Sequence, residues 1–407
     1  MVHVVYWNNM PAPYTIMRWN RLVERGNIEF EAWFNVVRSA ERSWAVNQDE
    51  WKFKARYIPK QQFMGQTLYL PLRELKTVKP DLVISLYYEL SFALGSLAAL
   101  STTRTAYLVM PTYDAWSERT WWREIAKHLL FRTADGAKVT GPEAADLAAR
   151  YGLPLDRSYK VVQGLDLPHY SRARDIDPQV REQKREALGL KGCVFLYTGR
   201  MWSGKGLDYL FDAYRRVRAH NPNVSLLMIG DGVEEAHYKQ LAADMPDVKF
   251  TGFVQGDTLP DYYALADVFV FPTLGDPYGY VVEESMAAGL PVICSTTAGE
   301  IRDRLPEGEA GFVVPTANAD VLYEKMALLA DNPDLRKQMG KRGAEIVTTK
   351  DLDAYAVEFE ALVEKMLSKP RRSNPTAWLM KTFGQSLLTM GGINQRELAP
   401  SVQGRTS

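Results

Sequence analysis

Cysteine and histidine are scarce in this chain, two and five among 407 residues. Cys193 and Cys294 each stand in or beside an apolar run, so they read as small core residues rather than as a disulfide. The histidines, His3, His128, His169, His220 and His237, show no metal-ligand spacing, and no metal is expected. An excess of either charge is also missing, with 49 basic against 49 acidic residues. That balance argues against a nucleic-acid binder driven by counterion release, and it gives no global attraction to a membrane. Long apolar runs are nearly absent. Leu82 to Leu100 is long enough to suggest a span, but it contains Glu89 and reads better as a strand over Leu82–Leu86 and a helix over Leu90–Leu100. The N-terminus lacks the basic region and apolar core of a signal peptide, so a cytoplasmic protein is expected. No solenoid period and no low-complexity run appears.

What is present is alternation. Strand-like runs at His3–Trp7, Ile28–Phe34, Asp81–Leu86, Thr105–Met110 and Ala137–Thr140 alternate with helical stretches such as Tyr14–Glu24 and Glu118–Phe131. A polar segment, Asp175-Ile176-Asp177-Pro178, follows with a helix-start signature. The alternation then restarts with Cys193–Thr198, Val224–Ile229, Val248–Thr251, Val268–Phe271, Pro291–Ser295 and Gly311–Val314. Strand–helix alternation implies parallel sheets covered on both faces. Two such series predict an α/β protein of two doubly wound, Rossmann-like domains, residues 1–173 and 174–368, with a ligand cleft between them. Residues 369–407 form a tail. Its segment Thr376–Met390 places Trp378, Leu379, Phe383, Leu387 and Leu388 along one side, which suits docking on the first domain, disorder, or peripheral contact with a membrane surface.

Four segments of the second half carry chemistry. Gly199-Arg200-Met201-Trp202-Ser203-Gly204-Lys205-Gly206 follows a strand and opens a helix. Its glycines let backbone approach a ligand, Arg200 can fork onto phosphate oxygens, and Lys205 adds a point charge. A solvated basic turn would explain this loop taken alone. Ile229-Gly230-Asp231-Gly232 resembles a truncated dinucleotide motif, with Glu235 in place of the third glycine. Val248-Lys249-Phe250-Thr251-Gly252-Phe253-Val254 ends a further strand; its backbone beyond Gly252 could read the edge of a nucleotide base with apolar side chains stacking on it, or it is an ordinary strand end. Finally, Asp276-Pro277-Tyr278-Gly279-Tyr280 leads into a helix from Val281 that carries Glu284. The helix N–H groups favour phosphate, and a carboxylate at Glu284 suits ribose hydroxyls. The alternative is that Glu283 and Glu284 merely complement the helix N-terminus.

Gly-Arg and Lys-Gly, then Ile-Gly-Asp-Gly, then Phe-Thr-Gly-Phe-Val, then the acid–seven–acid stretch ending in Met-Ala-Ala-Gly-Leu-Pro-Val, together resemble the family 4 glycosyltransferases of the GT-B fold. The resemblance is dense from about Val194 to Pro315. It is also visible in Val161-Val162-Gln163-Gly164-Leu165-Asp166. It implies retaining transfer of a sugar from a UDP- or GDP-linked donor, without a bound metal or other cofactor, to a carbohydrate or lipid-linked acceptor on the first domain. By the resemblance, Arg200 and Lys205 bind the diphosphate, Phe253 and Val254 border the base, Glu284 holds the ribose, and Asp276 takes the place of the glutamate that contacts the donor sugar. Gly230 and the turn Pro277, Tyr278, Gly279 and Tyr280 complete the expected donor wall.

Three departures stand out. Asp276 is a methylene shorter than the usual glutamate, Pro277 removes one backbone N–H, and Asn8–Pro13 lacks the paired glycines that many members place against the donor. Where many relatives carry a first-domain histidine, this chain reads Met110-Pro111-Thr112-Tyr113-Asp114-Ala115-Trp116. Asp114 or Tyr113 is the nearest acceptor base, with Glu89 as a weaker candidate. Trp116, Trp121 and Trp122 could stack on a sugar or serve the core. Asp175-Ile176-Asp177 and Asp351-Leu352-Asp353 imitate a metal-binding Asp-x-Asp but read as helix caps. Two rival functions stay open: a non-catalytic nucleotide-sugar-binding protein on the same fold, and a dinucleotide-dependent oxidoreductase.

Overall fold

The computed structural model describes residues 1–37, 46–63, 66–111, 120–254 and 256–390. Two parallel sheets organise it. The first runs β3-β2-β1-β6-β7-β8-β9, built from β1 His3–Asn8, β2 Glu29–Phe34, β3 Lys54–Tyr57, β6 Leu82–Ser85, β7 Arg104–Val109, β8 Gly136–Val139 and β9 Ser158–Lys160. A short antiparallel hairpin, β4 Lys60–Phe63 with β5 Gln66–Tyr69, lies outside it. The second sheet runs β12-β11-β10-β13-β14-β15, from β10 Cys193–Thr198, β11 Val224–Ile229, β12 Val248–Gly252, β13 Val268–Phe271, β14 Val292–Ser295 and β15 Gly311–Val314. In both, the strand order reverses beside the first strand, at β1/β6 and at β10/β13, and such reversals open a crevice at the carboxyl ends of the strands.

Each core strand is apolar on both faces because helices cover both sides. Every residue of β10 and β11 is buried. Edge strand β3 reads Lys-Ala-Arg-Tyr and is exposed throughout, so it leaves no apolar trace in the sequence. Cys193 and Cys294 are free thiols in the second core.

The two domains exchange chain twice. Leu165 leaves the first domain and pairs with Asp351 as the chain returns, with the Leu165 N–H donating to Lys350 O at 2.9 Å. After that return, helix Leu352–Ser368 packs into the first domain's core. Tyr355, Phe359, Leu362 and Met366 join the cluster of Trp19 and Phe30, and the Phe30 and Phe359 rings meet at 6.2 Å. Helix Leu352–Ser368 therefore sits with residues 1–173 in space, although it follows the second domain in sequence. Helix Pro375–Met390 also docks on the first domain, against helix Leu90–Leu100. Gly384 lies so close that a Cβ there would be 2.0 Å from Leu97 O. The tail's apolar residues do not share one face. Ala377 and Leu388 are buried while Trp378, Leu379 and Phe383 face outward.

Candidate functional site

The β10/β13 crevice brings the chemistry-bearing loops together. Gly206 has φ 65°, and a Cβ there would lie 2.1 Å from Pro272 O, so only glycine lets the loop after β10 press onto the loop after β13. That contact sets Lys205, itself buried, beside Asp276, with Nζ 2.5 Å from Oδ2. Gly230 works similarly one strand over. At φ 126° it backs onto Gly199, whose carbonyl oxygen would be 2.0 Å from an added Cβ. The hydroxyl of Tyr197 donates to Arg200 O at 2.8 Å, and the Arg200 guanidinium lies over the Trp202 ring at 5.5 Å. Phe253, 42% exposed, stands at the end of β12.

The acid-bearing loop is zipped to its neighbour. Asp276 N–H donates to Thr297 O at 3.1 Å, and Gly299 N–H donates to Asp276 O at 2.9 Å. Gly279, at φ 73°, turns the chain into helix Val281–Ala287, which holds Glu283 and Glu284 in its first turn. The two glutamates have separate surroundings. Glu284 accepts a hydrogen bond from the Tyr263 hydroxyl at 2.9 Å. Burial lifts its carboxyl to about 7, while hydrogen bonds from Tyr263 and Tyr170 pull the other way. Glu283 is fully inside. Burial opposes its charge, but the guanidinium of Arg304 outweighs burial and holds it below the ordinary range.

Arg304 is saturated. Its five N–H groups meet Glu283 Oε1 at 2.7 Å, Gly299 O at 2.8 Å, Gly279 O at 2.9 Å, Tyr278 O and Glu283 Oε2. The Tyr278 ring lies under the same guanidinium at 3.7 Å, and its hydroxyl donates to Glu283. The loop that presents Asp276 is thus held from beneath by one buried ion pair.

Polar contacts join the two domains at this edge. Tyr280 bonds to Arg18 and Gln163. Lys160 pairs with Asp303 at 2.6 Å. Glu300, in the left-handed region at φ 57°, accepts from the N–H groups of Ala144 at 2.8 Å and Glu143 at 3.1 Å, capping helix Pro142–Arg150 from across the cleft.

The expected donor-wall residues therefore divide. Arg200, Lys205, Gly230, Phe253, Val254, Asp276 and Glu284 all lie on loops or the helix at the carboxyl edge of the second sheet. The side chains of Tyr278 and Tyr280 are turned away, one to Arg304 and one to the first domain, leaving their backbone, with Pro277 and Gly279, at the edge. Tyr113, Asp114 and Trp116 lie outside the described residues. Glu89 stands at the N-terminal end of helix Leu90–Leu100 beside the β1/β6 crevice, with no side-chain capping bond, and burial raises its carboxyl above the ordinary range. Trp121 and Trp122 are exposed. Asp177 and Asp351 are helix caps, each accepting from the first-turn backbone. Among the described residues, no three histidines, cysteines or acids gather into a metal-binding group. Tyr170, Tyr263, Arg304, Arg18 and Glu300 escape sequence reasoning. They serve through contacts between distant segments, and no local spacing marks them.

Residues 192–332 match the family model of the glycosyl transferases group 1. Similar sequences include sulfoquinovosyl transferase SQD2 of Arabidopsis thaliana, 29% identical over 67% of this chain and 54% of that protein. A D-inositol 3-phosphate glycosyltransferase of Corynebacterium glutamicum is 27% identical over 80% of this chain and 83% of that one. The chain spans only 54% and 64% of the first two relatives' lengths. In fold it is similar to Anabaena HepE, solved in complex with UDP (TM-score 0.72, 15% identity, 89% of this chain and 100% of that one). It is also similar to sucrose-phosphate synthase of Thermosynechococcus elongatus (TM-score 0.70, 18% identity, 90% and 99%). The loops around the β10/β13 crevice lie within the matched residues 192–332, and the paired sheets give the chain the GT-B fold of its solved neighbours.

Proposed function

We propose that this protein transfers a sugar, with retention of configuration, from a nucleoside-diphosphate sugar to a hydroxyl acceptor in polysaccharide or glycoconjugate synthesis. The observation that carries the reading is the Lys205–Asp276 pair at the strand-order reversal, flanked by Arg200 and by Glu284. Lys205 and Arg200 supply the charge that a leaving diphosphate needs, so the reaction as proposed requires no metal. Asp276, already hydrogen-bonded to Lys205, is placed to hold hydroxyls of the transferred sugar beside that phosphate. Glu284 accepts the ribose hydroxyls, for which its ionised form is the better acceptor. Phe253 offers an exposed ring to the base. The acceptor hydroxyl attacks on the face the diphosphate leaves, and the departing phosphate takes its proton. Glu89, or Asp114, assists on the first-domain side.

Both UDP- and GDP-linked donors suit this site, and relatives of each kind of description exist: HepE was solved with UDP-glucose, and one similar Corynebacterium enzyme is named as GDP-mannose-dependent. Purified protein incubated with UDP-glucose or GDP-mannose should release nucleoside diphosphate, and Lys205→Ala should abolish most of that release while remaining folded. Near-normal turnover in the variant would remove Lys205 from the phosphate site.

A second element bears on the acceptor. Helix Pro375–Met390 holds one charged residue, Lys381, and shows Trp378, Leu379 and Phe383 to the outside. We propose that this face rests on a membrane surface, near a lipid-linked acceptor. No described helix is long and apolar enough to cross a membrane.

A further inference from the structure

Arg18 is 5% exposed, and each hydrogen bond it makes goes to a neutral group. Its Nε donates to Tyr14 O, and its Nη1 lies 2.9 Å from Gln163 O, Gln163 Oε1 and the Tyr280 hydroxyl. Three tyrosine rings surround the guanidinium, those of Tyr14, Tyr280 and Tyr355, at 5.2 to 5.5 Å. Among the described residues no carboxylate pairs with Arg18, and a buried arginine so placed is costly unless its place is needed.

Its place is where the two chain crossings and the donor loop converge. Gln163 and Gly164 stand at the first crossing. Gly164 packs so closely on Arg18 that an added Cβ would meet Arg18 Cδ at 3.2 Å. Tyr355 opens the helix that follows the second crossing, and its N–H donates to Asp351 O. Tyr280 directly precedes helix Val281–Ala287, which carries Glu284, and its hydroxyl donates to Gln163 Oε1 at 3.0 Å. The Tyr14 and Tyr280 rings also stack at 4.5 Å, and Tyr14 is in the first turn of the helix that follows the cleft loop after β1.

We infer that Arg18 is a positioning residue that sets the register of the two domains on the donor loop, through the hydroxyl of Tyr280 and the side chain of Gln163. Its catalytic consequence rests on the proposed transferase reading; the register itself does not. A movement of the loop between Asp276 and Val281 pulls on Tyr280, and through Arg18 on both crossings at once. The first domain is then held at one distance from the donor, which transfer between two separately bound substrates requires.

The test uses full-length protein with spin labels on Asp146→Cys and Glu324→Cys, both exposed positions, one in each domain. The native Cys193 and Cys294 are buried and stay unlabelled. The distance distribution between labels is measured without ligand in the parent, Tyr280→Phe and Arg18→Met. Tyr280→Phe removes one oxygen and keeps the ring, so it remains informative if Arg18→Met fails to fold. The inference expects the Tyr280→Phe distribution to widen by roughly twofold or to shift. It expects turnover with UDP-glucose or GDP-mannose to fall by roughly tenfold, with little change in KM. An unchanged distribution overturns it. So does a rise in KM at constant kcat, which would mean that Tyr280 touches the donor itself. If neither nucleotide sugar is turned over by the parent, the transferase reading fails, and the ligand-free distributions still decide the role of Arg18.

Discussion

At neutral pH Glu284 sits near half protonation, because burial lifts its carboxyl from 4.5 to about 7. A carboxyl whose pKa is raised by folding lends stability that is complete below 4.5 and is lost as pH rises through about 7. Allowing for its partly solvated edge, the loss is about 2 kcal/mol by pH 8. Melting temperatures of the ligand-free protein between pH 5 and 8 should therefore fall less for Glu284→Gln than for the parent; parallel curves would deny the burial. Donor affinity should move the other way and strengthen from pH 6 to 8, as the carboxylate forms. Glu283 behaves differently. Arg304→Met strands a buried charge and should cost roughly 3–5 kcal/mol. The pair Glu283→Leu with Arg304→Met should recover much of that stability in a urea titration. It should not recover turnover, since the carbonyls of Tyr278, Gly279 and Gly299 have lost their clamp. The eight-residue step from Asp276 to Glu284 is legible in the sequence because one turn and one helix fix it locally. The partners that tune Glu284, Tyr263 and Tyr170, come from other elements and leave no periodic trace.

Elements show the same division between local and distant causes. Strands β10, β11 and β15 stand over the residues their apolar runs mark, Cys193–Thr198, Val224–Ile229 and Gly311–Val314, because both faces are buried. Exposed β3 and three-residue β9 are defined by pairing to a neighbour and carry no such run. The glycine loops are intermediate. Gly199, Gly206 and Gly230 announce turns, yet their need for glycine lies in the backbone they face. Gly206→Ala combines a left-handed φ with a Cβ 2.1 Å from Pro272 O. It should cost at least about 1–3 kcal/mol in thermal or urea unfolding and move Lys205 off Asp276. A variant as stable and as active as the parent would mean that the two loops are not in contact. For the tail helix, replacing Trp378, Leu379 and Phe383 by serine should abolish co-sedimentation with anionic lipid vesicles. The fold should be unaffected, since none of the three is buried. Equal sedimentation would place the membrane contact elsewhere or nowhere.

On the scale of the whole molecule, two doubly wound domains are readable from alternation alone. What alternation does not carry is the way the domains are tied. Helix Leu352–Ser368 follows the second domain in the chain but packs in the first, because Tyr355, Phe359 and Met366 fit the core built around Trp19 and Phe30. Glu300 caps a helix of the opposite domain, and Arg18 gathers both crossings. These ties surround the loop from Asp276 to Tyr280, so a ligand there should stabilise the molecule as one unit. The most direct measurement is calorimetric titration of UDP and of GDP into the parent and into Lys205→Ala. The proposed diphosphate site at Arg200 and Lys205 requires that one of the two nucleotides bind the parent with a Kd of about 1 mM or tighter, and at least tenfold more weakly to the variant. Failure of both nucleotides to bind the parent, or equal binding to both proteins, would contradict it.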